Sequence, residues 1–168
     1  MIGSGGAGKT TLARRIAAAA SLPLVHLDRL YWQPGWIPTP ADEWQLQMAE
    51  LVRGERWVMD GNYGGTMALR VAAADTVVFL DVPRLACLRR VTIRALRHRG
   101  RTRDDMAPEC PEHLTWEFVR WIWSYPRTRR PRVLALLAEF ERAGGNAVVL
   151  HDSAEIESFL RSAGGSSV

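Results

Sequence analysis

Short apolar runs alternate with amphipathic stretches along the 168 residues, the pattern of an α/β chain in which strands and helices take turns. Helical character comes first, from about Lys9 to Ala20, and Leu24 to Leu27 then reads as a short strand ending at Asp28. Pro34, Gly35, Pro38 and Pro40 mark a loop, and Thr39-Pro40 with Asp42 starts a helix that carries to about Arg53. Trp57 to Met59 is a second strand ending at Asp60, and Thr76 to Leu80 a third ending at Asp81. Pro83 opens a long basic helix to about His98, and Asp81 is positioned to cap it. Arg99 to Pro111 is polar and too irregular for core. Helix returns from Leu114 to Trp123 and, past Pro126 and Pro131, runs to about Arg142, where Gly144-Gly145 stops it. Ala147 to Leu150 is the last strand, Ser153 caps a last helix to Leu160, and the tail Gly164 to Val168 reads as frayed. With no repeat and no linker, residues 1–168 are expected to form a single domain with a sizeable core.

The strongest chemical signal stands at the head of the first helix. Gly3-Ser4-Gly5-Gly6-Ala7-Gly8-Lys9-Thr10 fits GxxxxGK[ST] at every fixed position, and Thr11 follows. Glycines let the backbone wrap a β-phosphate with its N–H groups turned inward, and the helix that follows adds its positive end. In such a loop Lys9 bridges the β- and γ-phosphates and the Thr10 hydroxyl ligates Mg²⁺. A loop of this kind normally follows a buried strand of about five residues, whereas only Met1 and Ile2 precede Gly3. Either the start is placed too late or the fold accepts a clipped central strand; the first is the favoured expectation.

Ligands of open α/β sheets gather beyond the carboxyl ends of the strands, so the acids there are candidates. Asp60, followed by Gly61, Asn62 and Tyr63, is placed to hold Mg²⁺ directly or through water, and the plainer reading is a turn-forming Asp before Gly. Asp28 is placed to orient or deprotonate an acceptor hydroxyl, with a strand-end turn an equal alternative.

Arginines crowd the basic helix and the segment after it. Arg90 and Arg94 stand four residues apart on one helix face, where they can clamp a single phosphate group. Arg127, Arg129, Arg130 and Arg132 form a second cluster. A polar segment between two such clusters suits a lid, approximately residues 99–130, that closes over a nucleotide. The competing reading is a solvated basic face. Trp32 and Trp36 flank the loop after Asp28 and are placed to line an acceptor pocket.

Composition narrows the classes. The net charge of +4 suits an enzyme that handles phosphates and is too mild to argue nucleic acid by itself. Of 22 Lys plus Arg, Lys9 alone is lysine, and it stands where a slim ammonium must reach between phosphates. Cys87 and Cys110, far apart, form neither a disulfide framework nor a zinc motif. No apolar run approaches the ~18 residues of a membrane span and no secretory pattern opens the chain, so a cytoplasmic location is expected.

The chain resembles the bacterial DNA topology modulation proteins, an adenylate-kinase-like branch of the P-loop kinases. The resemblance is carried by Gly3 to Thr11, by His26-Leu27-Asp28-Arg29-Leu30-Tyr31-Trp32 with Pro34-Gly35-Trp36, by Asp60-Gly61-Asn62-Tyr63, by Asp75 to Pro83, and by Trp116 to Pro131. It implies an α/β P-loop NTPase fold with five parallel strands in the order 2-3-1-4-5, counted along the chain, flanked by helices. Adenylate kinases carry an Asp-Gly-Phe-Pro-Arg turn; here Asn62-Tyr63-Gly64 follows Asp60-Gly61, so the arginine that grips an acceptor monophosphate is absent. Leu80-Asp81-Val82-Pro83 followed by Arg90 and Arg94 keeps the spacing of the helix whose two arginines contact nucleotide phosphates in those kinases.

The expectation is an ATP- and Mg²⁺-dependent phosphotransferase acting on a small hydroxyl- or phosphate-bearing acceptor. Lys9 and the loop from Gly3 to Thr11 would hold the triphosphate, Thr10 and Asp60 the metal, and Arg90 and Arg94 the transition-state charge. Asp28, Arg29, Trp32, Asn62, Tyr63 and Arg70 would serve the acceptor, with Arg127, Arg129 and Arg130 in the lid. The alternative is a nucleotide-gated regulator that binds DNA through its arginines, although no DNA-binding motif is present.

Overall fold

The computed structural model describes residues 1–164. In chain order the elements are β1 (Ile2–Gly3), α1 (Lys9–Ala20), β2 (Leu24–His26), α2 (Leu27–Tyr31), β3 (Trp32–Gln33), β4 (Ile37–Pro38), α3 (Ala41–Leu51) and β5 (Val58–Asp60). They continue with α4 (Gly64–Ala72), β6 (Thr76–Leu80), α5 (Arg84–Arg97), α6 (Trp116–Thr128), α7 (Arg130–Arg142), β7 (Asn146–Leu150) and α8 (Ser153–Gly164). The expected frayed tail, beyond Gly164, lies outside the described residues.

The architecture is α/β with parallel strands. β1, β6 and β7 form one three-stranded parallel sheet with β6 in the middle, β2 and β5 form a parallel pair, and β3 and β4 a small antiparallel one. The single five-stranded sheet expected from the sequence is therefore replaced by a sheet of three strands and a separate pair. The cause is the brevity of β1, whose two residues ladder onto Phe79 and Leu80 of β6. Towards β5 the main-chain link among the described residues is reduced to two bonds: the Met1 amine donates to the Met59 carbonyl at 2.8 Å, and Gly61 N–H donates to the Met1 carbonyl at 3.3 Å.

β6 explains the layering. Its side chains alternate, and both faces are covered. Val77 and Phe79 meet Met67 and Val71 of α4 and Val133, Leu137 and Phe140 of α7. Val78 and Leu80 meet Leu12 of α1, Cys87 and Val91 of α5 and Ile122 of α6. A strand buried on both faces reads as an unbroken apolar run, which is why Thr76–Leu80 is recognisable from sequence.

Several local expectations need correction. No helix is expected where α4 forms, because Gly64-Gly65 opens it and glycine is a poor helix former; burial of Thr66, Met67, Arg70 and Val71 along one face fixes it. Asp28 stands in the first turn of α2 and not at a strand end. α6 continues past Pro126, at the cost of the ladder bond its missing N–H would have made. Asp152, not Ser153, caps α8, accepting from the N–H groups of Ala154 and Glu155 at 2.8 and 2.9 Å. Asp81 does not cap α5; both its carboxylate oxygens accept from Arg130 Nε, at 2.9 and 2.8 Å.

The segment from Arg99 to Pro111, expected to be too polar for core, holds a small core of its own. Met106, Ala107 and Cys110 are buried against Trp32 and Trp36. Among the described residues, no helix is long and apolar enough to cross a membrane.

Candidate functional site

The loop from Gly3 to Gly8 joins β1 to α1 and owes its path to glycine. Gly6 and Gly8 have φ of 77° and 102°, a region L side chains avoid. A Cβ on Gly6 would also stand 2.4 Å from the Cys87 carbonyl oxygen. Asn62 pins the loop from the β5 side: its side-chain carbonyl accepts from Gly3 N–H at 3.0 Å, and its amide donates to the Gly3 carbonyl. Lys9 folds back over the loop, its ammonium donating to the Ser4 carbonyl at 3.0 Å.

The loop faces an open cleft of about 1080 Å³. Gly5, Gly6, Gly8, Lys9, Thr10 and Thr11 form its floor, and Gly3, Ser4 and Ala7 are buried behind them. Asp60 rises at the end of β5 beside Thr10, whose hydroxyl donates to Asp60 Oδ2 at 2.6 Å. His26 is the register partner of Asp60 across the β2–β5 pair, and its Nδ1 lies 3.4 Å from the same oxygen. The other oxygen, Oδ1, is buried and unpartnered. Burial pushes the Asp60 carboxyl up, but His26, Lys9 and Thr10 more than offset it and hold the group below its ordinary range.

Asp28, from α2, stands further along the cleft and accepts from the Tyr63 hydroxyl at 2.6 Å. Burial raises its pKa, with the Tyr63 bond and the Lys9 charge opposing. Burial likewise raises the Tyr63 phenol, and the Asp28 charge adds to it. Tyr63 itself adopts φ 36°, an uncommon conformation for a bulky residue. Arg70 explains how the turn is held. It is 5% exposed and donates to the carbonyls of Gly61, Asn62 and Tyr63. Burial lowers its pKa to about 10.

One wall is arginine-rich. Arg90 donates to the Ala7 carbonyl at 3.0 Å and so sits directly on the loop. Arg94, one turn on, is bound by Glu112, with Nε and Nη2 at 2.9 and 2.8 Å from Oε1. Glu112 also holds Arg103 Nε at 2.8 Å, and Arg103 reaches Asp105 at 3.1 Å. The segment that carries Arg103 and Glu112 also meets an aromatic part of the lining. Trp32 and Trp36 meet edge to face at 5.3 Å, and His113 meets Trp36 at 5.2 Å. Phe118 covers the loop, since a Cβ on Gly5 would come within 2.5 Å of its ring.

The structure thus brings the loop, Asp28, Trp32, Asp60, Asn62, Tyr63, Arg90 and Arg94 together around one cleft. It does not bring Arg29, Arg70, Arg127, Arg129 or Arg130 to that lining. Arg29 and Arg127 are exposed, Arg129 lies over the Trp121 ring at 5.5 Å, and Arg130 serves Asp81. Within the stretch 99–130 where a lid is expected, residues 116–130 form α6 and the start of α7. Sequence reasoning missed His26, Arg103, Asp105 and Glu112. Only the strand register reveals His26. Glu112 carries a weak signal as an acid beside a run of arginines.

Among the described residues no cluster of three or more His, Cys, Asp or Glu could hold a metal. A cation here would rest on few protein oxygens, those of Thr10 and Asp60, with substrate oxygens completing its shell, as Mg²⁺ commonly does. Compared with known proteins, no family model matches the chain, and neither a curated protein nor a solved structure matches it.

Proposed function

We propose that the chain is an ATP-dependent phosphotransferase of the P-loop kinase type, as its resemblance to the adenylate-kinase-like DNA topology modulation proteins suggests. On this reading β2-β5-β1-β6-β7 act as one sheet in the order 2-3-1-4-5, with the Met1 bonds as its seam. The observation that carries the proposal is the meeting of Thr10 and Asp60 beside Lys9, with one buried carboxylate oxygen left unpartnered. A hydroxyl and a carboxylate brought together at a glycine-rich helix start suit a magnesium–triphosphate pair.

The loop amides and Lys9 would hold the phosphates, with Lys9 exchanging its Ser4 carbonyl for phosphate oxygens. Thr10 and Asp60 would hold Mg²⁺, which when bound supplies charge against that developing on the transferred group. Arg90 is close enough to the loop to join it. Arg94 would have to leave Glu112 first. Asp28 would accept the proton of an acceptor hydroxyl, with Tyr63 fixing the carboxylate.

Calorimetric titration with ATP in the presence and absence of Mg²⁺, on wild type and Lys9→Ala, tests the reading. Binding should be Mg²⁺-assisted and be greatly weakened in the variant; equal binding by both proteins would overturn it.

A second reading, a nucleotide-gated DNA-binding regulator, draws on the shallow groove of about 450 Å³ on α5, lined by Arg89, Arg90, Arg94, Arg97 and His98. A steep fall of DNA affinity with salt would favour it, because phosphate contacts release counterions.

A further inference from the structure

Two of the arginines that line the cleft are already neutralised. Arg103 is held by Asp105 and Glu112, and Arg94 by Glu112. The two acids are 5% and 6% exposed, so these ion pairs are built into the wall. Arg70, the cation nearest the Asp60–Tyr63 turn, is spent on three carbonyls beneath it. Lys9 and Arg90, which have no acid partner among the described residues, lie against the loop. Arg101 and Arg14 also line the cleft without an acid partner, but both are exposed. The same cleft is lined by Asp28, bonded to Tyr63, and by the half-buried indoles of Trp32 and Trp36.

We propose that the acceptor is an uncharged alcohol carried on a flat ring, of nucleoside or sugar type, and not a phosphorylated compound. The inference rests on the phosphotransferase reading and narrows its substrate. An acceptor phosphate is a dianion that needs unshared cations, and guanidinium forks are the usual partner. Here it would have to displace a buried carboxylate from its arginines and lie near a second acid, Asp28. Like charges brought together in this way are strongly disfavoured. A neutral ring meets no such obstacle: its faces suit the indole walls, and its hydroxyl can donate to Asp28. In the step, the acceptor oxygen bonds to the γ-phosphorus and its proton passes to Asp28. The bond from that phosphorus to the bridging oxygen breaks, and its electron pair leaves with the nucleoside diphosphate.

The test uses the full chain with ATP and Mg²⁺ and a panel of ribonucleosides, pentoses and hexoses, each beside its own monophosphate. Products are read by phosphorus NMR and chromatography. Neutral compounds should exceed their monophosphates by about a hundredfold in kcat/KM, and the nucleoside and sugar arms identify the ring. Monophosphates that serve equally well or better would overturn the inference and leave the kinase reading intact. ATP binding with no phosphorylated product in any arm would overturn the kinase reading, and this inference with it. Glu112→Gln frees Arg94 and Arg103 and should raise the monophosphates about tenfold relative to the neutral compounds. An unchanged ratio would count against the ion-pair account, and Asp105→Asn provides the same readout should Glu112→Gln fail to fold.

Discussion

The Thr10 hydroxyl donates to Asp60 Oδ2 at 2.6 Å, joining the first turn of α1 to the end of β5 across 50 residues of chain. Both residues line the cleft beside the loop, and the second Asp60 oxygen is buried with no partner among the described residues. Asp60→Asn keeps an acceptor for Thr10 but removes the charge. It is expected to lower Mg²⁺-dependent turnover about a hundredfold and to raise the Mg²⁺ needed for half-maximal rate, with a much smaller loss of triphosphate binding. Comparable losses in titration and turnover would assign Asp60 to the turn alone.

Lys9→Ala should abolish transfer, lowering turnover by roughly a hundredfold or more, without lowering the melting temperature. The ammonium bonds only a loop carbonyl, and Asp60, which loses its positive neighbour, keeps the Thr10 bond and His26. Turnover near that of wild type would exclude the kinase reading.

Asp28 has a raised pKa, so as a proton acceptor it works only once it has ionised. Activity should therefore climb with pH along an acid limb lying above the ordinary aspartate value of about 3.9. The Tyr63 bond lowers this pKa against burial, so Tyr63→Phe should move the limb to higher pH. Asp28→Asn should remove the limb and leave a low, flat rate. A limb that stays in place in Tyr63→Phe would take the proton away from Asp28.

Arg70 is a stability residue on this geometry. Arg70→Met would leave the Gly61, Asn62 and Tyr63 carbonyls without their buried donor and is expected to cost about 3 kcal/mol, a melting shift of roughly 6–12 °C. Calorimetric unfolding checks it, and an unchanged midpoint would show that the turn holds itself.

The segment carrying Arg99, Arg101 and Arg103 should show graded, not uniform, sensitivity to trypsin. Arg99 and Arg101 are exposed, whereas Arg103 is tied to Glu112 and Asp105. Cleavage after Arg101 should precede cleavage after Arg103, and Glu112→Gln should remove the difference. Equal rates in wild type would mean that the ion pairs do not hold the segment.

What the sequence determined by itself was whatever short-range rules decide. The glycine-rich loop, α1 from Lys9 to Ala20 and β6 from Thr76 to Leu80 follow from glycine spacing, helix-forming alanines and an apolar run, each signal lying within the element it specifies. Asp60 was legible as a site candidate because ligands of α/β chains gather beyond strand ends; Asp28 and Trp32 line the same cleft, although Asp28 stands in α2 and not at the strand end expected of it. Tertiary structure alone decided the rest. The 21 arginines look alike in sequence; packing buried Arg70 under three carbonyls, set Arg90 on the loop and closed Arg94 and Arg103 onto Glu112. His26 met Asp60 through strand register, and α4 formed across two glycines because its apolar face had a sheet to cover. Long-range pairing of charge and burial depends on which surfaces come to face each other, and no local pattern along the chain encodes that.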